Sequence, residues 1–193
     1  NRPDLWGHYG IAREIAALVH RPLKKLDICT EDLTKLPKLD IAVSSDTCFR
    51  YTSATMANIT KQYSPIDMQI RLYYTGMRGI NMLADVTNYV MLELGQPMHA
   101  FDADVVKNIV VRKFDSSFAF KTLDDVERNI TPEMLMICNN DTPVGIAGVM
   151  GGFDSEITDN TTSLTLESAN FNGVSIRKTS TALALRTDAS MRY

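Results

Sequence analysis

Apolar residues recur at two spacings along this chain, and the switches between them mark its elements. Leu5, Tyr9, Ala12, Ala16 and Val19 follow the three-and-four spacing of a helix with one buried stripe, which predicts a helix from Asp4 or just before it. Residues 20–38, with Pro22, Pro37 and mixed charges, read as a surface connection. Leu39, Ile41 and Val43 alternate with polar residues as in a half-buried strand, and residues 48–60 continue with β-favouring Phe, Tyr and Thr. Ser64-Pro65-Ile66-Asp67 is a helix start with Pro at the first helical position and an acid in the first turn, and Gly76 is its stop. The next helix is predicted over 81–94, ending at Gly95.

Beyond it the pattern turns to strands. Residues 109–111 are β-branched, and TLDDVER reads as a hairpin turning at Asp124-Asp125. Thr131-Pro132-Glu133 reads as a short helical start, residues 134–138, 144–149 and 163–166 as strands, and 172–185 as a last helix. Helices at the start, middle and end with strands between them predict an α+β fold with mixed sheets rather than a regular βαβ repeat.

The 193 residues suffice for a sizeable core in one domain, and 45% hydrophobic with 22% charged residues is an ordinary globular composition. No apolar run approaches the ~20 residues of a membrane span, and the opening Asn-Arg-Pro-Asp has neither an initiator Met nor a signal-peptide pattern. The expectation is an internal piece of a longer cytoplasmic protein. Cys29, Cys48 and Cys138 are odd in number and far apart, so reduced, partly buried thiols are expected; His8, His20 and His99 lack HxxxH or HExxH spacing, so no metal site is expected. A net charge of −3 lacks the basic stripe of a module that grips RNA by its phosphates, so any RNA contact should be confined to a small end.

The candidate chemistry is concentrated in three stretches. Residues 85–104, DVTNYVMLELGQPMHAFDAD, set Thr87, Asn88, Pro97 and His99 around the end of the 81–94 helix, among apolar residues. The glycines Gly145, Gly148, Gly151 and Gly152 lack the order of a phosphate loop; they permit either a tight turn between strands or a ligand lying on bare backbone. Glu167 interrupts the otherwise strand-like LTLESANF, and a buried carboxylate needs a partner: Arg177 or Arg186 within the fold, or a hydroxyl on a ligand. There is no GxSxG elbow and no Cys next to a His, so no covalent protein nucleophile is expected, and the ten Met residues read as core filler.

These stretches, with the amino-terminal NRPDLWGHYGIAREIA and the carboxy-terminal LRTDASMRY, resemble the editing (B3/B4) domain of the beta subunit of bacterial phenylalanyl-tRNA synthetase over nearly the whole chain. The resemblance implies a single domain over residues 1–193 with a three-layer β/β/α sandwich and peripheral helices. It implies that Thr87, Asn88, Pro97 and His99 serve an editing pocket together with Gly148, Gly151, Glu167, Thr187 and Ala189, and that Arg78 meets the terminal adenosine of tRNA. Gly79 stands where the family commonly has Pro, Met82 where Asn is common and Asp125 where Gly is usual, and residues 118–120 are less polar than usual. The parent enzyme would be an α2β2 heterotetramer that joins phenylalanine to tRNA(Phe) with ATP and Mg at a synthetic site in the alpha subunit. This piece would use no cofactor.

The chemistry expected of such a domain is hydrolysis of tyrosine wrongly esterified to the 3′ end of tRNA(Phe). An apolar pocket built for phenylalanine rejects a ring that merely adds a hydroxyl only about a hundredfold, so a second site that binds the hydroxyl is required. Glu167 is the expected acceptor, His99, Thr87 and Asn88 the groups around the ester, and water the nucleophile. Two other readings stand beside it: a non-catalytic tRNA-contact or assembly module, as in related layers of a lysidine synthetase, and a free-standing deacylase.

Overall fold

The computed structural model describes residues 2–28, 32, 34, 38–60, 63–158 and 160–193. Cys29 and Pro37 lie outside the described residues. The chain opens with a 3₁₀ turn, Pro3–Trp6, and α1, His8–Leu18. Then come β1 (Asp40–Val43), β2 (Cys48–Met56), α2 (Ile66–Tyr74) and α3 (Met82–Leu94). The second half contains β3 (His99–Asp102), β4 (Asn108–Arg112), β5 (Phe118–Lys121), β6 (Glu127–Ile130), β7 (Met136–Asn139), β8 (Thr142–Ile146), β9 (Met150–Gly151), β10 (Leu164–Phe171) and α4 (Gly173–Ala182).

The fold is α+β. One sheet runs β1-β4-β7-β8-β9, with β1 parallel to β4 and the other pairs antiparallel; a second, antiparallel sheet runs β2-β10-β3; β5 and β6 form a hairpin. Tyr51, Phe101, Ala169 and Phe171 from the smaller sheet pack in one core with Ile109, Val111, Ile137 and Ile146 from the larger, closed by Ile176 of α4. Helix α3 packs against β3 and gathers α1 and α2 around it, adding the helical layer to the two sheets.

α3 begins and ends where capping chemistry dictates. The Asn81 side chain accepts from the Ala84 N–H, and Gly95 closes the helix in the left-handed region at φ 81°. At α2 the hydrogen bonding shifts the start by one residue: Pro65 is the N-cap, and Ser64 instead donates to Asp85 at 2.6 Å. The predicted buried stripe on the first helix is not what forms. Gly7 breaks the segment in extended backbone, Ala12 and Val19 are exposed, and Gly10 is the one buried residue of α1, pressed on the Asp4 carbonyl.

Residues 131–134 make a turn, with the Met134 N–H donating to the Thr131 carbonyl, where a helical start was expected. The strand expected over 144–149 ends at Ile146, because Gly148 turns the chain back. The 122–126 hairpin forms as predicted, with Asp125 itself taking the positive φ that a glycine would supply. No helix among the described residues is long and apolar enough to cross a membrane.

Candidate functional site

The site is built on the middle of β10. Inward positions alternate along that strand, Thr165, Glu167, Ala169, Phe171, so the same periodicity that buries Phe171 buries a carboxyl group, and Glu167 is 5% exposed. In register it stands between Ser53 of β2 and His99 of β3. His99 opens β3 directly after the turn that closes α3. Gln96 fixes that turn by donating from Nε2 to the carbonyls of Pro97 and Ala169, at 3.0 and 2.9 Å.

The β8–β9 hairpin covers these two residues, and two of its glycines are needed for different reasons. Gly148 sits at φ 66° in a turn closed by the Val149 N–H on the Ile146 carbonyl, and a Cβ there would lie 2.9 Å from Ile176 and 3.0 Å from the Tyr193 ring. The turn reading therefore fits Gly148. Gly151 has no such backbone demand; a Cβ on it would fall 2.5 Å from Cε1 of His99, so the imidazole lies directly on the bare backbone. The other edge of the ring system meets Phe101, with centroids 4.5 Å apart and planes at 77°.

A cleft of about 60 Å³ opens here, and Pro97, His99, Gly148, Gly151, Glu167 and Ala189 all line it, with Met98, Phe101, Gly145 and Tyr193. Ala189 and Tyr193 are brought in by the carboxy-terminal turn, which Thr187 pins to the hairpin through its hydroxyl on the Val149 carbonyl at 2.9 Å. Thr187 thus supports the wall without lining it. Thr87 is buried on α3 with its hydroxyl on the Ala84 carbonyl at 2.8 Å, and Asn88 is half-buried beside it; neither lines the cleft. Arg78 borders a separate surface hollow with Gln69, Tyr73 and Tyr74, in the loop before α3, and that helix is about 20 Å long.

Glu167 finds neither Arg177 nor Arg186. The Tyr51 hydroxyl donates to its Oε2 at 2.7 Å, and Oε1 takes no hydrogen bond from the described residues. Burial pushes the Glu167 carboxyl up to about 7 against the opposing pull of the Tyr51 bond. Burial also drives His99 down to about 4, leaving its imidazole neutral at pH 7, and its Nε2 is buried with no partner. The Tyr51 and Tyr193 phenols are pushed far above their ordinary range, first by burial and then by the Glu167 charge. Cys48 and Cys138 are buried free thiols, each raised to about 11 mainly by burial, so neither supplies a thiolate. Among the described residues no three His, Cys, Asp or Glu side chains are placed to hold a metal ion.

Tyr51 and Tyr193 are the members of this site that sequence reasoning missed. Tyr51 is one of several aromatics on a strand, and nothing local marks it, because its partner lies 116 residues away. A larger hollow of about 430 Å³ lies between the helices, lined by His8, Arg71, Tyr74, Tyr89 and Glu93. It contains no buried ionisable group, and His8 Nδ1 is already engaged by the Leu92 carbonyl.

Residues 47–193 match the family model of the B3/4 domain. The chain belongs to the B3/4 domain family. Over its whole length this B3/4 domain is 46% identical to the phenylalanine–tRNA ligase beta subunit of Solibacter usitatus and 43% identical to that of Clostridium acetobutylicum. It spans about a quarter of the length of these relatives, 26% and 25%. Among solved structures, an N-terminal fragment of the phenylalanyl-tRNA synthetase beta subunit from Pyrococcus horikoshii superposes with a TM-score of 0.51, covering 95% of this chain and 58% of that one. At 16% identity that likeness concerns the fold alone. The matched stretch of the B3/4 domain starts just before β2 and contains all the cleft residues, while α1 and β1 precede it.

Proposed function

We propose that this domain is the editing site of a phenylalanine–tRNA ligase beta subunit and hydrolyses tyrosine misattached to the 3′ end of tRNA(Phe). One observation carries the reading: a buried carboxyl with one oxygen left without a hydrogen bond among the described residues lines an otherwise apolar cleft, directly opposite in the strand register to an imidazole whose Nε2 also lacks a partner. A tyrosyl ring entering the cleft would offer its hydroxyl to Oε1 of Glu167. A phenylalanyl ring in the same place would leave that oxygen unpaired, at a cost of about 1–3 kcal/mol or more. The selectivity is therefore the reverse of that of an apolar synthetic pocket.

Water attacks the ester carbonyl, the carbon–oxygen bond to the ribose breaks, and the ribose oxygen leaves with a proton. His99, with a conjugate acid near 4, is a weak base, so its Nε2 is suited to orient the water by accepting a hydrogen bond rather than to take the proton outright. The proton then passes through water to the departing ribose oxygen. Thr87 and Asn88 stand behind the cleft and Arg78 borders another hollow, so their parts rest on the family resemblance. The ATP- and Mg-dependent synthetic site, the alpha subunit, the α2β2 assembly and the cytoplasmic setting belong to the proposed parent enzyme.

The test is a time course of ester hydrolysis by the purified 193-residue chain with tyrosyl-tRNA(Phe) and phenylalanyl-tRNA(Phe). Faster loss of the tyrosyl ester is expected. Binding of either tRNA with its ester left intact would overturn this reading in favour of a non-catalytic contact module.

A further inference from the structure

Tyr51 does not line the cleft, yet its hydroxyl is bonded directly to the carboxyl group that does. The register of β2 on β10 pairs Tyr51 with Ala169 and Ser53 with Glu167, so Tyr51 is the diagonal neighbour of Glu167 on the inward face. At that offset a long aromatic side chain reaches its neighbour's head group. The phenol is 9% exposed, and Glu167 Oε2 is the hydrogen-bond partner it finds, at the 2.7 Å typical of an O–H donor on a carboxylate.

The bond divides the carboxyl group into two unequal oxygens. Oε2 accepts from a donor embedded in the core, and Oε1 takes no hydrogen bond from the described residues. Without Tyr51 no other described residue donates to Oε2. The carboxyl group would then be free to rotate about its last torsion and, being deeply buried, to take up a proton and present an O–H in either direction.

Resting on the reading of the cleft as the site of tyrosyl-ester hydrolysis, we propose that Tyr51 is a positioning residue: its hydroxyl holds Glu167 as an aimed acceptor, and preference for a hydroxylated ring depends on it. It acts through Glu167 and touches no ligand. The bond also lowers the proton affinity that burial raises, which gives the role a signature in pH as well as in selectivity.

The experiment uses Tyr51→Phe, which removes one oxygen from a ring the core still accommodates. Two measurements are made on the 193-residue chain. The first is hydrolysis of tyrosyl- and phenylalanyl-tRNA(Phe) from pH 6 to 8.5, corrected for the uncatalysed reaction. The preference for the tyrosyl ester should fall about tenfold at pH 7, the scale of one charge-assisted hydrogen bond. The acid limb of tyrosyl hydrolysis should move to higher pH, with the preference partly recovered above it. The second is a carbon-13 carboxyl titration by NMR, with the Glu167 resonance assigned by its absence in Glu167→Gln. Its midpoint should rise above the wild-type value near 7 when Tyr51 loses its hydroxyl.

Equal slowing of both esters at every pH, or an unmoved Glu167 midpoint, would overturn the positioning role. A wild-type chain that cleaves neither ester would instead refute the functional reading, and the carboxyl titration would still decide whether Tyr51 holds Glu167.

Discussion

Glu167 and His99 occupy one ladder position of adjacent strands, and the same burial moves their proton affinities in opposite directions. Between its ordinary value of 4.5 and about 7, Glu167 retains in the folded state a proton that the unfolded chain has released, so its contribution to stability falls as pH rises through that window. His99 in the folded state refuses a proton that the unfolded chain takes up between 6.5 and about 4, so its contribution is lost as pH falls through that range. Glu167→Gln keeps an oxygen for Tyr51 and removes the ionisation. Its melting temperature relative to wild type should therefore increase from pH 5 to pH 8, by the equivalent of about 1.4 kcal/mol for each pKa unit of displacement removed. An offset that is the same at both pH values would show that the carboxyl is not held high. Gly151→Ala tests the other contact: its methyl must push the His99 ring, which stands 2.5 Å from the position it takes. Both esters should then be cleaved about tenfold more slowly or worse, since displacing an orienting group by an ångström is costly.

At the scale of elements, legibility followed locality. The limits of α3 were readable because Asn81 and Gly95 act on their own helix ends, whereas β10 was readable only in its first half: the strand expected over 163–166 runs on through Glu167 to Phe171, and its apolar residues change face across Glu167. Residues Pro97, His99, Gly148, Gly151, Glu167 and Ala189 were also nameable from sequence through the family pattern, and they meet in one cleft. What was not readable depends on pairing across the chain. The partner of Glu167 is set by the register of β2 against β10, and the exposure of α1 by tertiary packing: Ala12 and Val19 of the expected stripe are exposed among the described residues, as are Ile11, Ile15 and Leu18. The β8–β9 hairpin provides a contrast with Gly151 inside a single element. Gly148→Ala forces a methyl-bearing residue into φ 66° and against Ile176, so it should cost about 1–3 kcal/mol in denaturant unfolding. A smaller loss there than in Gly151→Ala would contradict the assignment of Gly148 to the turn.

Across the whole molecule, two sheets enclose one core and the site lies where they are joined by the hairpin and the carboxy-terminal turn, so the cleft is held by four separate parts of the chain. With a net charge of −3 the domain has little general attraction for phosphates, which suits a site that meets only the esterified end of an RNA. The domain corresponds to about a quarter of its relatives' length, so under the proposed function grip on the rest of that RNA would fall to other parts of the parent. Under the proposed function, Glu167 reads the hydroxyl of the misattached ring. The most direct test of that role is the ratio of single-turnover hydrolysis rates for tyrosyl- and phenylalanyl-tRNA(Phe) at pH 8, measured for the wild-type chain and for Glu167→Ala. If Glu167 has this role, the wild-type ratio should be well above one and should collapse toward one in the variant, mainly through loss of about 1.5–3 kcal/mol on the tyrosyl ester. A ratio that survives the substitution, with both rates reduced alike, would contradict it.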